Sequence, residues 1–104
     1  MALRTTGTLD LSESRYISIG QARVRGKFSI QMKSTDVSET TTFTLEVSAD
    51  NTNWDTAEES GTEISDTLVQ SATKVLSVEV DPYMYFRINF AGETTGSVAY
   101  VINY

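Results

Sequence analysis

The chain contains neither histidine nor cysteine. Without cysteine there are no disulfides and no thiolate metal ligands. Without histidine, the usual neutral-pH acid–base group and the commonest transition-metal ligand are missing too. Proline occurs once, at Pro82. No apolar run approaches the ~18 residues of a membrane span. The opening residues Met1–Thr6 lack the apolar stretch of a secretory leader, so the chain is expected to stay where it is made. There is no glycine-rich phosphate loop, no nucleophile elbow and no metal-ligand spacing. Carboxylates are the only plentiful catalytic residue type, and nothing marks any two of the fourteen as a glycosidase pair. The expectation is therefore a non-enzymatic protein without cofactor or resident metal.

What is present is alternation with a period of two. Arg23, Arg25, Lys27, Ser29 and Gln31 interleave with Val24, Gly26, Phe28, Ile30 and Met32. Thr42, Thr44, Glu46 and Ser48 interleave with Phe43, Leu45, Val47 and Ala49. Such a pattern turns one face of a strand to a core and the other to water. About eight strands are expected: Thr8–Leu11, Arg15–Ile19, Ala22–Lys33, Thr41–Ala49, Glu63–Ile64 with a further piece at Leu68–Val69, Lys74–Val80, Tyr83–Phe90 and Ser97–Tyr104. Ser34–Glu39 and Asp55–Gly61 read as polar loops, Asp81-Pro82 as a corner and Ala91–Gly96 as a hairpin loop. One domain of 104 residues follows, an all-β antiparallel sandwich of jelly-roll or immunoglobulin-like type, with residues 1–7 left open as a flexible arm. The expected core runs through Leu9, Leu11, Ile17, Ile19, Val24, Phe28, Ile30, Phe43, Leu45, Val47, Trp54, Leu76, Val78, Val80, Phe86, Ile88, Phe90, Val98, Tyr100 and Ile102.

Charge is unevenly spread. Arg4, Arg15, Arg23, Arg25, Lys27 and Lys33 face only Asp10 and Glu13 in residues 1–33, whereas residues 34–104 set Lys74 and Arg87 against twelve carboxylates. A basic face and an acidic face suit docking onto an acidic surface or head-to-tail contact between copies; the plainer reading is charge kept for solubility. Arg23, Arg25 and Lys27, with Arg15 beside them, lie on one strand face. They fit a protein interface or a solvated surface better than nucleic acid, because Phe28 has the opposite parity and the net charge of −6 repels polyanions. Tyr83, Tyr85, Arg87 and Asn89 share the outward parity of another strand, a composition of interfaces and of sugar-binding surfaces, and equally of any Tyr-rich strand. In the last strand, Tyr100 and Val101 put apolar residues on both faces, which with Tyr104 suggests contact with a like copy. Asp50, Asn51, Asn53, Asp55, Glu58 and Glu59 crowd around Trp54; an ordinary turn explains them better than calcium, since the EF-hand spacing is absent.

The run Phe43-Thr44-Leu45-Glu46-Val47-Ser48-Ala49-Asp50-Asn51-Thr52-Asn53-Trp54 resembles a strand–turn–Trp pattern of small β-sandwich virion proteins of tailed bacteriophages. Asn51 stands where glycine is usual, so the turn's positive-φ position would rest on Asn. Tyr85-Phe86-Arg87-Ile88-Asn89-Phe90 is similar to a strand that follows in such proteins. The two segments cover about a fifth of the chain, and the strand–turn–Trp pattern also occurs in carbohydrate-binding sandwiches. The resemblance implies a capsid decoration protein, made in the host cytoplasm and assembled as a homo-oligomer on other virion proteins, with no nucleic-acid or membrane partner. The partner-binding residues would be Arg15, Arg23, Arg25, Lys27, Tyr85, Arg87, Tyr100 and Tyr104. The alternative is a carbohydrate-binding or host-surface adhesion module using Trp54 or the Tyr83/Tyr85 face.

Overall fold

A computed structural model describes residues 4–21, 26–35, 37, 40–59, 61–80, 84–90 and 95–103. The strands are β1 (Arg4–Asp10), β2 (Tyr16–Gln21), β3 (Gly26–Thr35), β4 (Thr40–Ser48), β5 (Asp55–Thr56), β6 (Glu58–Glu59), β7 (Thr62–Glu63), β8 (Ser65–Val69), β9 (Thr73–Val80), β10 (Tyr85–Asn89) and β11 (Ser97–Asn103). Sheet I has the order β1-β11-β3-β9; sheet II runs β2-β10-β4, with β8 and β5 both on the far edge of β4. All pairings are antiparallel. Apart from the run β4 to β8, every connection crosses between the sheets, and this strand order is that of a jelly roll rather than an immunoglobulin sandwich.

The alternation read from the sequence is what closes the sandwich. Ile30 and Met32 of β3, Phe43 and Leu45 of β4, Ile88 of β10, and Val98 and Ile102 of β11 are all fully buried, as is Phe90 just past β10. The rings of Phe43 and Phe90 meet at 6.0 Å between centroids, tilted by 53°. Each such side chain contributes roughly 1.5–3 kcal/mol through its removal from water. Met32, Val37, Ala57 and Leu68 join this core in addition to the expected residues.

Three segments differ from expectation. Residues 4–7 form the first half of β1, with Arg4 opposite Asn103 and Gly7 opposite Tyr100, rather than an arm. β3 runs on to Thr35, and Ser34 is fully buried. Its hydroxyl donates to the Val69 carbonyl at 3.0 Å and accepts the Ser71 N–H at 3.2 Å, which explains why a polar residue is held there. The acidic stretch Asp55–Gly61, expected to be a loop, contains β5 and β6. Ala57 N–H donates to the Leu45 carbonyl and Ile64 N–H to the Ala57 carbonyl, so the β6–β7 hairpin is stitched to the edge of sheet II by backbone bonds that carry no side-chain pattern.

Candidate arginine-stack site on sheet II

The outer face of sheet II is built from the residues of opposite parity to the core. On β10 these are Tyr85, Arg87 and Asn89, aligned with Ser48, Glu46 and Thr44 of β4. On the other side of β10, Arg87 aligns with Ser18 and Asn89 with Tyr16 of β2. The register thus sets Arg87 directly opposite Glu46, and Arg87 Nε donates to Glu46 Oε1 at 2.6 Å. Asn89 Nδ2 reaches the other oxygen, Oε2, at 3.5 Å.

Two rings enclose this pair. The Arg87 guanidinium carbon lies 3.9 Å from the centroid of the Tyr16 ring and 4.2 Å from that of Trp54. A planar, weakly hydrated cation is suited to aromatic faces, and each contact is worth about 0.5–2 kcal/mol according to its desolvation. Trp54 is therefore half-buried on the outer face and lies outside the buried core, although its size predicts a core position. The guanidinium supplies the partner that a core position would otherwise have to supply.

A turn delivers Trp54 to that position. Asp50 Oδ1 accepts the Ser48 hydroxyl at 2.8 Å and the N–H groups of Thr52 and Asn53 at 2.9 and 2.8 Å, while Oδ2 accepts Asn53 Nδ2 at 2.7 Å. Asn51 sits at φ 61°, the left-handed conformation that asparagine tolerates. These bonds, led by the Asn53 N–H and then its side-chain amide, hold the Asp50 carboxyl far below the usual carboxylate range. Asp50 is occupied with its own turn. Among the described residues no group of three or more acidic side chains is arranged to hold a metal ion.

The residues expected from the sequence to bind a partner fall in several places. Tyr85 and Arg87 share the stack face. Arg15 is exposed just before β2, where its carbonyl accepts the Phe90 N–H at 2.8 Å. Tyr100 has the inward parity of Val98 and Ile102; its ring lies over Gly7 and packs against the core, so Val101 and Ala99 are what β11 turns outward. Lys27 lies in β3 opposite Glu79, with its side chain outside the described residues; Arg23, Arg25 and Tyr104 are outside them altogether. Tyr16 and Glu46 were missed. Their outward parity was visible in the sequence, but the register that unites them with Arg87 was not. Asn89 Oδ1 is buried with no hydrogen-bond partner among the described residues.

No family model matches the chain, and no curated protein does. Solved structures with a similar course include a Bacillus endospore appendage protein that forms disulfide-linked pili (14% identity, TM-score 0.48, covering 100% of this chain and 88% of the other). Others are the Yersinia pseudotuberculosis-derived mitogen (17%, 0.48, 99% and 84%) and the Drosophila melanogaster CENP-C cupin domain (18%, 0.42, 100% and 56%). Likeness at this level carries no argument about what the chain does.

Proposed function

We propose that the protein is a non-enzymatic structural component that acts by protein–protein contact, in the manner of a decoration protein on the capsid of a tailed bacteriophage. The observation that carries this reading is the segregation of exposed charge. Asp55, Glu58, Glu59, Glu63 and Asp66 are all exposed along β5–β8 at one edge of sheet II. Among the described residues, only Asp66 of these has a cationic partner, Lys74 at 2.6 Å. Lys33 stands exposed on the outer face of sheet I, on the strand that also holds Lys27 and follows Arg23 and Arg25 in sequence. Carboxylates along one edge, with Lys33 exposed on the other sheet, suit a molecule that meets neighbours of complementary charge in a shell. Val69 and Val75, 50% and 57% exposed, add apolar contact area near the same edge. The virion as the place of action is supported by the resemblance of the segment from Phe43 to Trp54.

Light scattering behind size exclusion tests the reading. At low salt the protein should form a salt-sensitive assembly, and Arg23→Glu with Arg25→Glu should abolish its salt-sensitive part. An unchanged assembly and salt response would sink it.

A second reading, a saccharide site on the outer face of sheet II, is favoured by one observation: the Asn89 Oδ1, without a hydrogen-bond partner among the described residues, on a residue paired with Tyr16 across β10 and β2. A glycan bound there should shift Trp54 fluorescence in a titration; a panel of saccharides that leaves the emission untouched would exclude it.

A further inference from the structure

We infer that β1 is a self-complementary edge that pairs, antiparallel and centred on Gly7, with the β1 of a second copy. This joins two four-stranded sheets into one continuous sheet. The inference deepens the structural reading above by naming the partner as another copy of this chain, on a surface separate from the charged faces.

Among the described residues β1 pairs with β11 alone, and no described strand covers its other side. The Leu11 N–H donates to the Gly96 carbonyl at 3.0 Å, and this pairing continues the register in which Gly7 faces Tyr100. Antiparallel strands alternate the direction of their main-chain groups. The odd-numbered residues therefore bond β11, while the N–H and C=O groups of Arg4, Thr6 and Thr8 and the N–H of Asp10 face outward. Open edges of this kind are ordinarily blunted by proline, bulges or charges placed within the strand. On sheet II, the β2–β10 pairing carries a register shift. On the opposite side of the sandwich, the Lys74–Asp66 ion pair ties β9 to β8. The segment Arg4-Thr5-Thr6-Gly7-Thr8-Leu9-Asp10 has none of these devices, and its charges stand only at its two ends.

Those ends have opposite sign, and symmetry makes them meet. About Gly7, Thr6 falls opposite the second copy's Thr8, and Arg4 opposite the second copy's Asp10, twice over. Arg4, Thr6, Thr8 and Asp10 are all exposed and share the outer face of sheet I. Arg4 Nε donates to Asn103 Oδ1 at 3.2 Å, which leaves the terminal guanidinium nitrogens for a carboxylate. Asp10 Oδ1 accepts the Ser12 N–H and hydroxyl, whereas Oδ2 has no partner among the described residues. Thr–Thr and opposite-charge pairs are favourable cross-strand neighbours, and like charges in the same places are not.

Sedimentation equilibrium over a concentration series in high salt tests this. The intact protein should approach twice its 11.5 kDa chain mass. Thr8→Pro removes an outward-facing N–H that the single chain does not use, and proline is tolerated at a strand edge. That variant should be monomeric, with the urea midpoint that the parent shows at concentrations too low for it to dimerise. In the Arg23→Glu/Arg25→Glu background at low salt, where exposed ion pairs are not screened, Arg4→Glu and Asp10→Lys, each first shown to be folded, should separately weaken self-association about tenfold. An equimolar mixture of the two should restore it. In the mixed pair the introduced carboxylate of one copy faces the introduced ammonium of the other, while the remaining Arg4 and Asp10 still meet. A monomer at all concentrations, a Thr8→Pro variant that dimerises like the parent, or a mixture no better than its components would overturn the inference. None of these outcomes bears on the salt-sensitive assembly that depends on Arg23 and Arg25, so the two readings fail separately.

Discussion

Arg87 shows how much one side chain organises here. It pairs with Glu46, separates two rings, and thereby fixes the outer ends of β2, β4 and the turn before Trp54. Arg87→Met should lower stability by about 1–3 kcal/mol in urea unfolding, because Glu46, only 16% exposed, is left without its counter-charge. The same variant should change Trp54 emission, and Glu46→Gln, which keeps a hydrogen-bond acceptor, should cost less. At Asn51, Asn51→Gly should be neutral and Asn51→Val should be destabilising by about 1–2 kcal/mol, since a β-branched residue resists φ 61°. Acid titration reads the turn carboxylates. Hydrogen bonds from Ser12 and Asn53, and the Lys74 ammonium, hold Asp10, Asp50 and Asp66 respectively below their ordinary value of 3.8. The unfolded chain therefore binds more protons, and this contribution is complete above about pH 5 and lost as pH falls through 3.8 and below. The urea midpoint should drop over that range, and Asp50→Asn should make the drop shallower. Asn51 was legible in the sequence as the positive-φ residue of its turn. The partner of Trp54 was not, because a single large ring reads as core until the strand opposite it is known.

At the level of elements, the strands announced themselves through alternation, and their inward residues are those that close the core. Phe43→Ala, which empties the contact with Phe90, should cost about 3–5 kcal/mol in the same unfolding measurement. β1 and β11 depend on a finer fit. A Cβ on Gly7 would lie 2.6 Å from Tyr100 Oη and 2.7 Å from Cζ, so Gly7→Ala must displace the ring. Its cost should shrink in a Tyr100→Leu background, and that non-additivity in a double-mutant cycle is the check. The pieces that escaped the sequence are the ones held by backbone bonds or by single polar contacts. β5 and β6 are two-residue pairings in an acidic stretch, too short for any periodicity to mark. The extension of β3 through Ser34 rests on one hydroxyl bridging to Val69 and Ser71, which a run of polar residues disguises as a loop.

For the whole molecule, the order β1-β11-β3-β9 over β2-β10-β4-β8 is long-range information. No local pattern distinguishes it from an immunoglobulin arrangement, because both satisfy the same alternation. What the sequence did hold was its charge asymmetry, which the fold spreads into a carboxylate-lined edge and a face bearing Lys33. It also held the small palindrome of charge in β1, which acquires meaning only once β1 is found at an open edge. A structural protein built this way has two kinds of contact, one electrostatic and one through main-chain pairing, and salt separates them. The most direct measurement is the sedimentation of the intact protein at low and at high salt. The account predicts species larger than a dimer at low salt that fall back to twice the 11.5 kDa chain mass at high salt. A single-chain mass under both conditions, at every concentration, would contradict it.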